Sequence, residues 1–110
     1  MEKKRWIRLS EDFFSKREWS KNSKVSHFFL YLLLSANTSN DEWLGIPLKR
    51  GQLATSRRQL NIKTGLAQET VRSCLSKLLE SKEITMSTVG HYIVITICNY
   101  EKYAGSEDKK

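Results

Sequence analysis

The hydrophobic pattern is clearest near the middle of the first half, where apolar side chains recur at helical spacing. They fall at positions i, i+3, i+4, i+7, i+8 and i+11, and they are Val25, Phe28, Phe29, Leu32, Leu33 and Ala36. This spacing puts all of them on one side of an α-helix. We expect that side to form part of the core.

The opposite side of the same helix is apolar as well, with Leu30, Tyr31 and Leu34. A helix that is apolar nearly all round cannot leave its back in water. Two covers are open, and we favour the first: aromatic residues of the N-terminal segment, which are Phe13, Phe14 and Trp19. The second is self-association through Leu30, Tyr31 and Leu34. His27 shares this side, and we expect it to be a packed or surface histidine, because no second metal-type residue is placed to join it.

A second helical pattern is interrupted by a turn. Ser56 predicts a helix start, since its hydroxyl can accept from the Gln59 amide while the Gln59 side chain reaches back. Leu60 lies on this helix, Gly65 suits a turn that needs positive φ, and Leu66 anchors the corner. Helical spacing then resumes with Val71, Leu75 and Leu78. Helix, tight turn and second helix are the layout of a helix-turn-helix.

Short strands surround this unit. Residues 52–54 predict a strand before it, and residues 43–47 are expected to connect a polar loop to that strand. Residues 84–87 and 92–97 alternate strongly around Val89-Gly90-His91, which predicts a β-hairpin. At the N-terminus, residues 6–9 look extended and residues 10–14 look like a capped helix start.

The predicted fold class is therefore α+β: a winged helix-turn-helix with an N-terminal helical extension, a short strand before the helix-turn-helix and a C-terminal β-hairpin wing. A chain of 110 residues is sufficient for one such domain, which we place at residues 1–103. Residues 104–110 are polar and are expected to form a disordered tail.

The net positive charge of the chain is compatible with an anionic partner but does not identify it. The net charge is +7 and the pI is about 9.6, which favours an anionic partner but also occurs in proteins that bind none. The excess lies in the N-terminal part: residues 1–58 hold 12 Lys or Arg and 6 Asp or Glu, against 7 and 6 in residues 59–110.

Other function classes find little in the chain. Cys74 and Cys98 have no metal-type neighbours, so neither a metal site nor a disulfide is expected. There is no Gly-rich phosphate loop, and the carboxylates are scattered among cations, so we expect no enzyme and no cofactor. The longest apolar run has seven residues, Phe28 to Leu34, far too short for a membrane span. We expect a cytoplasmic, nucleoid-associated protein.

Side chains on the second helix of the pair suit base reading, because glutamine can pair with adenine, arginine with guanine, and glutamate can accept from cytosine. The predicted base-contacting residues are Gln68, Glu69, Thr70, Arg72, Ser73 and Ser76. An ordinary solvated helix face is the alternative.

Two arginines sit where a helix disfavours them. Arg57 and Arg58 occupy the first turn after Ser56, although cations oppose the helix dipole there. A DNA phosphate would remove the conflict, whereas two solvated arginines are the alternative. Nearby cations could extend the patch, so the predicted phosphate-contacting residues are Lys49, Arg50, Ser56, Arg57, Arg58 and Lys77. The wing carries no Lys or Arg, so we expect it to be mainly structural, with His91 as its candidate contact.

Several stretches of the chain carry a shared resemblance: residues 29–37 with Trp43, residues 50–56, Thr64-Gly65-Leu66, Thr70-Val71-Arg72 and residues 95–103. Together they resemble the N-terminal winged-helix domain of phage replisome organisers, which are related in layout to DnaD-like replication initiation proteins. The likeness covers nearly all of residues 6–103. Two positions depart from such turns: Ala67 stands where serine usually caps the second helix, and Asn61 where a small apolar residue commonly packs.

The resemblance implies a domain that binds double-stranded DNA at a phage or mobile-element replication origin. It also implies self-assembly into a homo-oligomer, and often a C-terminal region that engages the host helicase or helicase loader. We expect that region to be absent here, so the chain is either a domain of a longer protein or a stand-alone form. The rival function is a winged-helix oligomerisation or protein-interaction module with weak or no DNA binding.

Overall fold

The long apolar pattern forms α1 (Ser23–Ser35) in the computed structural model, which describes residues 6–11, 13 and 22–104. The helix begins after Asn22, whose side chain accepts hydrogen bonds from the amides of Lys24 and Val25. Every position predicted for the core side is buried: Val25, Phe28, Phe29, Leu32, Leu33 and Ala36. This prediction is confirmed.

A short hairpin that the sequence did not predict follows α1. Strands β1 (Asp41–Trp43) and β2 (Ile46–Leu48) pair antiparallel, with Trp43 opposite Ile46. The two turn residues, Leu44 and Gly45, have φ of 50° and 81°. Positive φ at both central positions is the geometry of a type I′ turn, which usually uses Asn-Gly. Residues 43–47, expected only to connect the polar loop to the next strand, are therefore part of a hairpin. Leucine is unusual at the first turn position, so the sequence pattern did not indicate it.

A three-stranded antiparallel sheet contains the rest of the predicted β-structure. It is built from β3 (Gln52–Thr55), β4 (Ile84–Val89) and β5 (Tyr92–Ile97), in the order β3-β5-β4. Val89 pairs with Tyr92, which leaves Gly90 and His91 as a two-residue turn. The hairpin prediction is confirmed, and β4 is longer than expected because Val89 belongs to the strand.

The two faces of β5 have different neighbours. Ile93, Ile95 and Ile97 point to the main core, whereas Tyr92 and Val94 alternate to the other face. On that other face the Trp43 ring meets the Tyr92 ring edge-on, with centroids 4.7 Å apart. Val94 is buried without belonging to the main core cluster. The β1–β2 hairpin therefore lies against the side of the sheet that the helices do not cover.

Two helices lie between β3 and β4 along the chain. They are α2 (Arg57–Thr64) and α3 (Gln68–Glu80), and both pack against α1. The Ser56 hydroxyl accepts from the Gln59 amide at 3.1 Å, which confirms the predicted start of α2. Gly65 ends the helix at φ 77°. Leu60, Val71, Leu75 and Leu78 are buried, as expected. In the described part of the chain, only the serine bond of the predicted capping box is present.

The first and last described segments of the chain meet beside the core. The last helix, α4 (Tyr100–Tyr103), is followed by Ala104, which forms an isolated bridge with Ile7. The Arg8 amide donates to the Tyr103 carbonyl at 2.8 Å. We predicted that residue 104 begins a disordered tail. This is wrong for Ala104, because its side chain is buried. Residues 105–110 lie outside the described residues.

Of the predicted helix start at residues 10–14, positions 12 and 14 lie outside the described residues, as does Trp19. The described part forms a turn, in which the Phe13 amide donates to the Ser10 carbonyl at 3.0 Å. Phe13 is described, and it is buried in the main core. Across the described ranges, the fold is α+β, with four helices and two small antiparallel sheets. No helix within these ranges is long and apolar enough to span a bilayer.

Candidate nucleic-acid interface

The outer face of α3 carries the residues that the sequence selected for base contact. Its inner face is buried through Val71, Cys74, Leu75 and Leu78. The residues between them turn away from the core: Gln68, Glu69, Arg72, Ser73 and Ser76 are exposed, and Thr70 is half-buried. Hydroxyl, amide, guanidinium and carboxylate groups therefore share one solvent-facing side, and these are the groups that read base edges.

The start of α3 lacks a side-chain cap. Ala67 holds the N-cap position with extended φ and ψ and makes no capping hydrogen bond, as the sequence predicted. Glu69 lies in the first turn, where the positive end of the helix dipole favours an acid. The helix is thus supported at its start by charge and not by a capping bond.

The turn between the helices is held by polar side chains of α2. The Asn61 amide group donates to the Leu66 carbonyl at 2.5 Å. The Thr64 hydroxyl donates to the Leu60 carbonyl at 2.6 Å and accepts from the Leu66 amide at 3.2 Å. Asn61 therefore stabilises the turn by hydrogen bonding, where the resemblance led us to expect apolar packing.

His27 joins α1 to the end of α2. Its Nε2 lies 2.9 Å from the Thr64 carbonyl oxygen. The carbonyl can only accept, so Nε2 carries the proton in this contact. This is a surface histidine with a structural partner, which agrees with its predicted role.

Arg57 and Arg58 are exposed at the start of α2. No acidic residue lies in the first turn of this helix, and neither arginine forms an ion pair within the described residues. Ser56 is half-buried and its oxygen already caps the helix. Two guanidinium groups thus point into solvent at a helix end that repels them.

Arg50 has a different environment, which corrects the predicted single patch. Its Nε donates to Glu101 at 2.6 Å and its Nη2 to the same carboxylate at 3.1 Å, while Nη1 donates to the Thr38 carbonyl. The guanidinium also lies over the Tyr100 ring, 5.2 Å from its centroid. Since β3 spans about 13 Å at 3.3 Å per residue, Lys49 and Arg50 lie at one end of it and Arg57 and Arg58 at the other.

The carboxylate of Glu101 responds to this contact. The side-chain hydrogen bond from Arg50 lowers the pKa of Glu101 most; desolvation opposes it, and the charges of Arg50 and Arg8 lower the pKa further. Glu101 therefore stays ionised, and the Arg50 charge is already paired with a carboxylate of the same chain at the surface. No local pattern indicates this pair, because the partners are 51 residues apart along the chain.

The wing offers polar groups without cations. His91 is exposed in the turn between β4 and β5, close to the exposed Ser87 and Thr88. Lys77, the remaining predicted phosphate contact, is exposed near the end of α3. The helix α3 therefore carries two cations, Arg72 and Lys77, whereas the wing tip at residues 87–91 has no lysine or arginine.

A groove of about 290 Å³ opens between the start of α1 and α3. Its lining residues are Asn22, Lys24, Val25, Glu69, Thr70, Ser73 and Cys74. Burial raises the pKa of the Cys74 thiol, and the nearby charges of Lys77 and Lys24 oppose this rise, so the thiol is neutral at ordinary pH. Sequence reasoning had not selected Lys24, because only the packing of α1 on α3 brings it to this place.

The self-association candidates are exposed to different degrees. Leu30 and Tyr31 are half-buried against the main core, whereas Leu34 is 43% exposed. Cys74 and Cys98 are both free. Among the described residues, no group of three side chains is placed to hold a metal ion.

The chain matches no protein-family model, and neither curated proteins nor solved structures show significant similarity to it. Its function must therefore be argued from its own residues and their geometry.

Proposed function

We propose that the chain is a winged-helix domain that binds double-stranded DNA, with α3 lying in the major groove and the β4–β5 hairpin as the wing. The order β3, α2, α3, β4, β5 and the tight turn at Gly65 support this assignment. The exposed polar face of α3 supplies base-reading groups on a rigid element.

The observation that carries the proposal is the exposed pair Arg57 and Arg58 at the start of α2. Each arginine costs the helix a few tenths of a kcal/mol by opposing its dipole. A phosphate placed there would accept hydrogen bonds from both guanidinium groups. Its negative charge would remove the unfavourable interaction of the arginines with the helix dipole, and this gain would favour binding. Helix-turn-helix proteins place this first helix across the DNA backbone.

On α3 the roles divide by chemistry. Arg72 is the candidate for guanine, and Gln68 for adenine. Ser73 and Ser76 can donate or accept. Glu69 and Glu80 offset the charges of Arg72 and Lys77, so α3 contributes sequence discrimination more than general attraction.

The resemblance to phage replisome organisers extends the proposal to origin DNA of a phage or mobile element. In this setting the domain marks the origin, and contact with a host helicase or its loader would be made by other parts of a replication protein. A random-sequence duplex selection tests this step, because an origin-binding domain should enrich one shared site.

The direct test measures binding of a labelled mixed-sequence duplex between about 50 and 200 mM salt. Replacing both Arg57 and Arg58 with alanine should weaken binding on the order of tenfold or more and make the slope of log K against log salt shallower by about two, since each phosphate contact contributes about 0.9. Lys102→Ala is the matched control, because this exposed lysine lies on α4.

The proposal would be excluded if the wild-type chain did not bind duplex DNA at low salt. If the double variant and Lys102→Ala lost the same amount of duplex affinity, Arg57 and Arg58 would have no specific role in the interface.

Self-association is the second candidate function, and the exposure of Leu34 beside Leu30 and Tyr31 favours it. Leu34→Asp should then abolish any concentration-dependent increase in mass in sedimentation experiments without changing duplex affinity. A wild-type chain that stays monomeric at all concentrations would exclude it.

A further inference from the structure

Strand β4 has one open edge. It lies at the end of the three-stranded sheet, with β5 as its strand neighbour. The Cys98 amide donates to the Glu83 carbonyl at 3.0 Å, which fixes the phase of the ladder between the two strands. In such a ladder the backbone groups of alternate residues point towards and away from the partner strand. The amides and carbonyls of Ile84, Met86 and Thr88 therefore point away from β5. Within the described residues, no hydrogen bond occupies these outward groups.

The other outer strands in the described part of the chain carry features that hinder pairing with another molecule. Strand β1 contains the carboxylates of Asp41 and Glu42, and β2 contains Pro47. In β3 the Gln52 carbonyl already accepts from the Asn37 amide at 2.9 Å. Charges, proline and covering segments are the usual protections of a sheet edge.

Strand β4 has none of these protections along its six residues. Its sequence is Ile-Thr-Met-Ser-Thr-Val, without charge or proline, and its register with β5 runs without interruption from residue 84 to residue 89. Four of the six residues are exposed. An open, uncharged and regular edge is suited to accept an extended backbone from another molecule.

The distribution of charge favours β4 of a second copy as that backbone. Two chains of net charge +7 repel each other, so a contact between them has to keep their cations apart. The strand is uncharged, and the wing tip at residues 87–91 has no lysine or arginine. In an antiparallel pair with twofold symmetry, Lys82 of each copy lies beside the wing tip of the other. A parallel pair would place the two Lys82 side chains next to each other.

We propose that β4 pairs antiparallel with β4 of a second copy, so that the two three-stranded sheets join into one across a twofold axis. A pair centred on Met86 lets the outward groups of Met86 bond to those of the same residue in the second copy. It also brings Thr88 opposite Ile84 of that copy, so that all the outward groups find partners. This inference goes beyond DNA binding and uses neither α3 nor the arginines of α2. It also differs from self-association through Leu34, because a sheet edge contributes backbone hydrogen bonds.

The test removes one outward amide. Thr88→Pro leaves the ladder with β5 intact, because proline is tolerated where an edge strand points its amide outward. Thr88→Val keeps the amide and is the matched control. In sedimentation experiments without DNA, the mass of the wild type and of Thr88→Val should rise with concentration from the 12.8 kDa of one chain towards twice that value. Thr88→Pro should raise the dissociation constant of the dimer on the order of tenfold or more, because each copy loses one hydrogen bond to the other.

A second variant tests the same edge through charge. Ser87→Lys keeps every backbone amide and changes an exposed side chain. The two new lysines lie close to each other across the twofold axis, so the dimer should weaken at low salt and recover at high salt. Thermal unfolding of the variants shows whether the wing stays folded, and Ser87→Lys decides the matter if Thr88→Pro unfolds.

The outcomes separate this inference from the other proposals. Pairing through β4 predicts that Leu34→Asp dimerises like the wild type. The inference is overturned if the wild type stays monomeric, or if Leu34→Asp dissociates the dimer whereas the β4 variants do not. Duplex binding is measured separately, so a chain that dimerises through β4 without binding DNA would contradict the proposed function and leave this inference intact.

Discussion

Arg50 and Arg57 lie at opposite ends of β3 and have opposite surroundings. Arg50 is paired with Glu101, bonded to Thr38 and stacked over Tyr100. Arg57 is exposed at a helix start that disfavours its charge. One end of the strand satisfies its polar groups internally, whereas the other leaves them open. Unsatisfied groups on a rigid element are typical of binding sites.

The largest effect is expected at the internally satisfied end. A Cβ on Gly51 would lie 2.9 Å from the Tyr100 Cβ, and Gly51 has φ +86°. Gly51→Ala should therefore lower the free energy of unfolding by about 3 kcal/mol, through strain and a displaced α4. Gly45→Ala is the matched control, because its φ is +81° but the space around it is open; about 1 kcal/mol is expected. Equal losses in urea unfolding would show that α4 does not pack tightly here.

The start of α3, beyond the far end of α2 from Arg57, also lacks an interaction, and a substitution can restore it. Ala67→Ser should raise the free energy of unfolding by about 1 kcal/mol, because the hydroxyl can accept from an amide in the first turn of α3. Gln68→Ser adds the same side chain one position later, beyond the cap, and should bring no gain. An unchanged or lower melting temperature for Ala67→Ser would contradict the placement of the start of α3.

Charge reversal should act with opposite sign at the two ends. Arg57→Glu should raise the free energy of unfolding by about 0.5 kcal/mol, because an acid suits the start of a helix. The same variant should bind duplex DNA more weakly. Arg50→Glu should lower the melting temperature, because it places a second carboxylate beside Glu101. Melting at low and high salt measures both, and a destabilising Arg57→Glu would remove the contrast.

The smallest effect is expected in the melting temperature at low pH. The pKa of Glu101 is lowered in the folded protein, so its pair with Arg50 stabilises the fold above the unfolded pKa of about 4.3. This contribution is lost as pH falls through the lower folded value. The melting temperature of wild type should exceed that of Glu101→Gln at neutral pH, with the gap narrowing below about pH 4. A gap that stays constant with pH would mean that the pair contributes nothing through charge.

Much of the fold could be predicted because its causes are local. The core side of α1 follows from apolar spacing, the start of α2 from Ser56, and the turn at Gly90 from two alternating strands. Each depends on residues a few positions apart. The β1–β2 hairpin was missed because Leu44 takes a positive φ that its side chain disfavours, so no residue pattern announces the turn.

The candidate site was predicted less completely. The outer face of α3 follows from helical spacing, and the polar residues predicted for it are exposed, with Thr70 half-buried. The four cations from Lys49 to Arg58 are close along the chain, yet the extended backbone of β3 divides them. Lys24 was not predicted, because it lines the same groove as Ser73 only through the packing of α1 against α3.

The sequence by itself determined α1, α2, α3 and the strands β3, β4 and β5, and showed a basic excess with two arginines at a helix start. Only the tertiary structure decided which of those charges are available. Arg50 is paired across 51 positions of the chain, whereas Arg57 has no such partner within the described residues. The physical reason is range: periodicity and capping act within a few residues, but pairing and groove formation require distant segments to meet.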